Sequence, residues 1–189
     1  MECGFMYPVP DEKDMMSLLR GDLELVKNFA MSAILHCVNA RRFCYYIGNS
    51  AQAFENLIPF DDCSLRPELN DFLVSKNSES SEDLVGIIRE IPEKLSPALI
   101  IVEVPENRTP YGLVNLFGYA QDLQLKLKCA VLILVEDTES CAVISERLLK
   151  FYKLKVFDVF RWGLRSGSEE TIRSFVECDG RLLERRIHK

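Results

Sequence analysis

The sequence predicts an α/β protein in which helices flank a sheet. Three short apolar segments rich in β-branched residues have the length and composition of buried strands: residues 98–104, 129–135 and 156–160. Helical patterns separate them, the first opening at Thr109-Pro110, which offers a capping hydroxyl and a proline suited to the first turn. The second covers residues 140–152. The order β-α-β-α-β, followed by one more strand, is typical of a sheet with helices packed on it.

The two ends of the chain carry other local signals. Asp179-Gly180 favours a tight turn, and it predicts a hairpin that pairs residues 172–178 with residues 181–187. In the first half, the pattern predicts a helix over residues 11–20, a second helix over residues 26–37 and a strand over residues 42–47.

These signals predict three parts. Residues 1–75 form an N-terminal extension, helical and then irregular. Residues 76–97 form a linker with a short helix, in which Ser81 caps a helix that ends near Arg89. Residues 98–189 form the α/β domain.

Composition and charge exclude several classes of function. Of the 189 residues, 48% are hydrophobic and the net charge is −6. Residues 1–106 carry 18 acidic and 9 basic side chains, whereas residues 107–189 carry 11 and 14. An acidic chain repels a phosphate backbone, so nucleic acid is not expected as a partner. The longest apolar runs are far shorter than the ~20 residues that span a bilayer, so no membrane insertion is expected.

The cysteines predict a reducing compartment. There are seven, an odd number, and no two of them form a C-x-x-C pair. Together with a first segment that lacks the basic and apolar regions of a secretory signal, this predicts reduced thiols in the cytoplasm or the nucleus. Cys129 lies at the start of an apolar run, and we expect it to be buried and unreactive.

No catalytic residue or cofactor is predicted. The two histidines, His36 and His188, lack the spacing to a thiol pair that zinc requires. A phosphate-binding loop needs glycines after a strand, but residues 105–110 contain two prolines and no glycine, and residues 136–139 are mostly acidic. An acetyltransferase-like enzyme remains an alternative, because a small mixed sheet with two helices suits one.

Two groups of residues have alternative interpretations. Glu136, Asp137 and Glu139 could bind a hard cation, or they could favour the N-terminus of the following helix through its dipole. Trp162, beside Arg161, could be an exposed interface anchor or could cover the core.

The second half contains a more specific pattern. A strand ends in V-E-V-P at residues 102–105, a helix covers residues 116–123, and an apolar strand covers residues 131–135. The run L-L-K-F-Y-K-L-K-V-F-D-V-F-R-W-G follows at residues 148–163, and a last strand at residues 172–177. In this order and spacing, residues 98–177 resemble the conserved domain of the ornithine decarboxylase antizymes. Trp162 stands where that family has a proline, and Asp122 is the carboxylate that remains where its first helix has several glutamates.

The resemblance implies a fold and a function. The fold would be an acetyltransferase-like mixed sheet flanked by two helices, without acetyl transfer. The protein would be a non-catalytic inhibitor that binds ornithine decarboxylase subunits as a heterodimer, blocks their homodimerisation and promotes ubiquitin-independent proteasomal degradation, thereby regulating polyamine levels. Antizyme inhibitor and the proteasome would be further partners, and translation of the family involves a ribosomal frameshift.

Within this hypothesis, five residues are expected to face the partner: Asp122, Glu136, Asp137, Glu139 and Trp162. The carboxylates follow from their places on a helix and a loop, and Trp162 follows only from its place in the run of residues 148–163. A third hypothesis is an adaptor with a different protein partner, in which residues 1–75 carry the specificity.

Overall fold

An eight-stranded sheet forms the centre of the protein. The computed structural model describes residues 16–48, 71–78, 80–91, 96–104, 110–136, 146–166, 169–178 and 181–185. The strands are β1 (Met16–Gly21), β2 (Cys44–Gly48), β3 (Leu73–Asn77), β4 (Leu99–Glu103), β5 (Ala130–Glu136), β6 (Lys155–Ser166), β7 (Glu169–Cys178) and β8 (Arg181–Arg185).

The strand order in the sheet is β3-β2-β4-β5-β1-β6-β7-β8. The six strands from β3 to β6 are parallel. β7 and β8 then extend the sheet by antiparallel pairing. β1 therefore lies inside the sheet, between β5 and β6, although it is the first element of the described chain. Parallel strands with helices on both faces are buried on both sides, which explains the continuous apolar runs of β4 and β5.

Helices cover both faces of this sheet. α1 (Leu23–Asn39) packs on one face, against inward side chains such as Leu19 of β1 and Leu132 of β5. α2 (Ser81–Arg89), α3 (Pro110–Leu127) and α4 (Glu146–Phe151) contribute to the core on the opposite face, with Leu18 and Val131. Side chains of a strand point alternately to its two faces, so Leu18 and Leu19 of β1 enter different cores.

Local capping explains where α1 and α2 begin. The carboxylate of Asp22 accepts a hydrogen bond of 3.0 Å from the amide of Leu25 and caps α1. The hydroxyl of Ser80 accepts one of 3.1 Å from the amide of Asp83 and caps α2. The predicted cap, Ser81, is therefore one residue too late, although the helix ends at Arg89 as expected.

The α/β class predicted from the sequence is confirmed, and so are most elements of the second half. The predicted hairpin is also confirmed in its register, because Cys178 pairs with Arg181 and leaves two residues for the turn. The acetyltransferase-like arrangement is not confirmed. Among the described residues, no helix is long and apolar enough to cross a bilayer.

The first half differs from the sequence prediction. The helix predicted over residues 11–20 is wrong in its described part, because Met16–Gly21 form β1. An apolar run of this length fits a buried strand as well as a helical turn, and only its pairing on both edges decides between them. The second helix and the strand after it are confirmed as α1 and β2.

The start of the predicted linker belongs to a strand. Residues 73–77, of which residues 76 and 77 lie in that linker, form the edge strand β3 beside β2. The polar side chains of β3 are exposed, which suits an edge strand. β1, β2 and β3 come from the predicted extension, yet they share one sheet with the strands of residues 98–189.

Substitution of two glycines by alanine should have opposite effects on stability. Gly21 has φ +154°, and a Cβ there would overlap the carbonyl oxygen of Val159 on the neighbouring strand. Gly21→Ala should therefore lower the free energy of unfolding by about 2–6 kcal/mol, from backbone strain and overpacking. Gly86 is exposed in α2 with open space around it, and Gly86→Ala should raise stability by about 0.5–1 kcal/mol. Urea unfolding of both variants measures this, and a neutral Gly21→Ala variant would contradict the close packing of β1 on β6.

Candidate functional site

The carboxyl ends of β1 and β5 are the place where a sheet of this type binds ligands. β1 continues into α1 on one face, and β5 leads towards α4 on the other. Adjacent strands whose connections leave to opposite faces create a crevice at their carboxyl ends, where doubly wound proteins place small molecules. Gly21 and Glu136, the last residues of β1 and β5, are partners in register at this point.

The connection from β1 to α1 is too short for a phosphate-binding loop. Asp22 alone separates Gly21 from the first residue of the helix. Its carboxylate caps the helix and brings a negative charge to the N-terminus, where a bound phosphate would lie. The amide of Leu25 already donates to this carboxylate. At the start of α1, the Leu25 amide is therefore already hydrogen-bonded, and the Asp22 carboxylate would repel a phosphate.

A buried polar cluster lies close to this edge of the sheet, beneath α1. Glu103 is the last residue of β4, Tyr46 is in the middle of β2, and Lys27 is in the second turn of α1. The ammonium of Lys27 lies 3.1 Å from one carboxylate oxygen of Glu103, and the hydroxyl of Tyr46 donates to the other. Lys27, Glu103 and Tyr46 are 9%, 5% and 0% exposed. A buried charge is tolerated when it is paired and hydrogen-bonded, as both charges are here.

Gly48 makes space for this carboxylate. It ends β2, next to β4, and a Cβ at this position would overlap the side chain of Glu103. The cluster thus requires glycine at position 48, and its side chains come from three elements, α1, β2 and β4. Lys27, Tyr46 and Glu103 satisfy one another, so the cluster binds together parts of the fold. That is a structural role for three groups whose chemistry would also suit catalysis.

A second ion pair joins β1 to β6. Arg20 and Asp158 are partners in register, and their side chains form two hydrogen bonds of 2.6 and 3.1 Å. Both side chains are partly exposed. Asp158 belongs to the run of residues 148–163 that contributes to the family resemblance. Its partner could not be predicted from the sequence, because residues 11–20 were predicted to be helical.

Of the five residues predicted to contact a partner, the structure describes the side chains of two, Asp122 and Glu136. Asp122 is exposed on α3, twelve residues after the start of that helix and about 18 Å along its axis. Glu136 is half-buried at the carboxyl end of β5, where the following connection leads to α4. Asp137 and Glu139 lie outside the described residues. Trp162 lies in β6 opposite Arg173, and its side chain is outside the description.

Three described cysteines are buried free thiols: Cys37, Cys44 and Cys129. The thiol of Cys44 donates to the carbonyl oxygen of Arg42, at 3.8 Å. The interaction between the two neighbouring thiols, assisted by the charge of Arg42, lowers the pKa of Cys37 despite its burial, and together with burial it raises the pKa of Cys44. Burial raises the pKa of Cys129 to about 11. The expected burial of Cys129 is confirmed. Within the described part of the chain, no cluster of histidine, cysteine and carboxylate side chains could hold a metal ion.

Loss of one member of the buried pair should destabilise the fold strongly. Lys27→Met removes the ammonium and leaves the Glu103 carboxylate buried without its cation, which should cost about 3–5 kcal/mol of unfolding free energy. Arg20→Met is the matched control, because its partly exposed pair should contribute less than about 1 kcal/mol. Urea unfolding at neutral pH compares the two, and equal losses would contradict the role assigned to the cluster.

Alkaline pH should destabilise the protein partly through Cys129. Its pKa in the folded protein is about 11, against an ordinary value of 9.0. Between these values the thiol ionises in the unfolded chain but stays protonated in the fold, so its stabilising contribution is complete below pH 9 and is lost as pH rises through 11. The loss should amount to about 2–3 kcal/mol. Cys129→Ala should show a smaller fall in stability over this range, and identical pH profiles would refute the assignment.

Comparisons with known proteins leave the family of this chain open. No protein-family model matches the sequence, and no curated protein matches it. The assignment of function therefore depends on the residues and their arrangement.

Proposed function

We propose that this chain is a non-catalytic protein that acts by binding another protein. The proposal depends on one observation: the polar groups at the carboxyl edge of the sheet already bind other groups of the protein. Where a related architecture would hold a small molecule, Asp22 caps its own helix, and the side chains of Lys27, Tyr46 and Glu103 satisfy one another. The polar groups at this edge are engaged in holding elements of the fold together.

The exterior supports the same conclusion. Among the described side chains, four large apolar ones are exposed on the helices of the face opposite α1: Tyr111, Val114 and Leu125 of α3, and Phe151 of α4. Val114 and Phe151 lie near each other, because both contact Tyr152. Apolar side chains that lie close together at a surface often mark a protein–protein contact, and aromatic residues contribute much of the binding energy of such contacts.

The first partner to test is an ornithine decarboxylase subunit. This choice depends on the resemblance of residues 98–177, whose described elements β4, α3, β5, α4 and β6 follow the order that the resemblance implies. A heterodimer would prevent the homodimerisation of the enzyme, and degradation by the proteasome would follow. A stable complex of this kind would bury about 1,600 Å² or more.

Mixing the full chain with purified ornithine decarboxylase tests this proposal. We expect a one-to-one complex in size-exclusion chromatography with light scattering, and a loss of decarboxylase activity that follows complex formation.

Asp122→Lys should mainly slow association if Asp122 lies at the rim of the interface, because charge complementarity acts chiefly on the rate of encounter. Asp83→Lys, an exposed reversal on α2, is the matched control.

Two results would contradict the proposal. Separate elution of the two proteins with full decarboxylase activity would exclude ornithine decarboxylase as the partner. Saturable binding of acetyl-CoA in calorimetry would exclude the non-catalytic assignment in favour of the acetyltransferase alternative.

A further inference from the structure

A cluster of exposed apolar side chains lies where α3 and α4 meet. Tyr111 and Phe151 are each 76% exposed and Val114 is 41% exposed. Tyr111 and Val114 are three residues apart on α3 and therefore lie on one face of the helix. We call these three residues, together with the exposed cations Arg147, Lys150 and Lys153, the α3–α4 patch.

A buried neighbour, Tyr152, contacts two of the three apolar residues of the patch, Val114 and Phe151. The Tyr152 hydroxyl donates a hydrogen bond of 3.1 Å to the carbonyl of Val114. The Tyr152 ring packs edge-on against Phe117 in the core, at 5.8 Å between centroids, and against the Phe151 ring at 5.0 Å. Val114 and Phe151 therefore share one buried support, Tyr152, and Tyr111 lies on the same face of α3 as Val114. Such preorganisation lowers the entropy cost of binding.

The charge next to these apolar residues is positive. Arg147 is four residues before Phe151 and lies on the same side of α4, while Lys150 and Lys153 flank Phe151 along the chain. The nearest exposed carboxylate described on α3 is that of Asp122, eight residues and about 12 Å beyond Val114. The protein as a whole has a net charge of −6, so the cations of the patch are a local departure from its composition.

We propose that the α3–α4 patch binds an acidic segment of a partner protein whose apolar side chains cover Tyr111, Val114 and Phe151. This inference rests on the proposed function in one respect, that the partner is a protein. Aromatic anchors beside a polar rim are the usual arrangement of a protein interface, and the cations would select and steer a partner of opposite charge.

An anionic membrane is a weaker match for the same side chains. Each cation near such a surface contributes about 1 kcal/mol, and firm attachment requires a second signal such as a lipid chain or a long amphipathic helix. α4 has only six residues, and α3 packs its apolar face into the core. A segment of protein can instead match both the apolar cluster and the three cations.

Fluorescence anisotropy with a defined probe tests the proposal. The probe is a labelled helical peptide of glutamate and alanine with leucine and phenylalanine along one face, titrated with the full chain. We expect saturable binding that weakens as salt is added. Phe151→Ser and, independently, Tyr111→Ser should each weaken binding by about tenfold or more, and Arg147→Glu should weaken it by about threefold through slower association.

Two controls test whether binding depends on the patch and on the negative charge of the peptide. Leu125→Ser removes an exposed apolar side chain of α3 outside the patch and should change the affinity by less than about twofold. A peptide with lysine in place of glutamate should not bind. Circular dichroism and thermal unfolding establish that each variant is folded.

Several results would overturn the proposal: no saturable binding of the acidic peptide, equal binding of the lysine peptide, or equal effects of Phe151→Ser and Leu125→Ser. Binding to vesicles containing phosphatidylserine without binding to the peptide would assign the patch to a membrane and would also overturn the proposal.

Failure of the proposal for the patch and failure of the proposed function give different results. If a complex with ornithine decarboxylase forms and Phe151→Ser does not affect it, the proposal for the patch is contradicted and the proposed function is not. If the peptide binds but no such complex forms, ornithine decarboxylase is excluded as the partner and the proposal for the patch stands.

Discussion

The burial of β1 between β5 and β6 is the constraint on which the rest of the structure depends. The backbone of β1 pairs with both neighbouring strands, and its side chains enter both cores. Gly21 allows the end of β1 to approach the carbonyl of Val159 on β6. This one strand therefore joins the beginning of the chain to elements more than a hundred residues later, and it makes a single sheet from segments that look like separate parts in the sequence.

The position of β1 also determines what lies at the carboxyl edge of the sheet. Asp22 alone separates α1 from β1, so the helix starts close to the strand and packs over β5, with further contacts to β4 and β2. Lys27 then reaches Glu103, and Tyr46 completes the cluster. A longer connection would leave room for a ligand at the same place. The short connection directs these polar groups to one another, and for this reason we look for function on the exterior.

On the exterior, the two faces of the sheet differ. α1 buries its apolar stripe and contributes no large apolar side chain to the exposed surface, whereas α3 and α4 expose several. The cations of α4 and the segment after it distinguish this face from the acidic chain as a whole. The sequence suggested acidic contacts at Asp122 and in residues 136–139, in accordance with the resemblance to antizymes. The described side chains next to Phe151 carry the opposite charge, and they favour a partner surface that is acidic.

The sequence by itself determined the elements whose signals are local. Short apolar runs predicted β4 and β5, and spaced apolar side chains predicted α1. Thr109-Pro110 and a similar spacing predicted α3, and Asp179-Gly180 predicted the register of β7 and β8. It also predicted the burial of Cys129 and the α/β class. Each of these features depends on residues within about one turn or one strand of each other, so that periodicity and turn preference are sufficient.

Only the tertiary structure decided which strands are neighbours and which charges meet. Residues 16–21 became a strand, and 73–77 an edge strand, because pairing with distant strands satisfied their backbones, and a local pattern contains no information on that pairing. Lys27 with Glu103, and Arg20 with Asp158, are separated by 76 and 138 positions in the sequence. Many pairs of opposite charge are possible in a chain with 23 basic and 29 acidic side chains. The order of strands in the sheet selects among them, because it alone brings their backbones within reach.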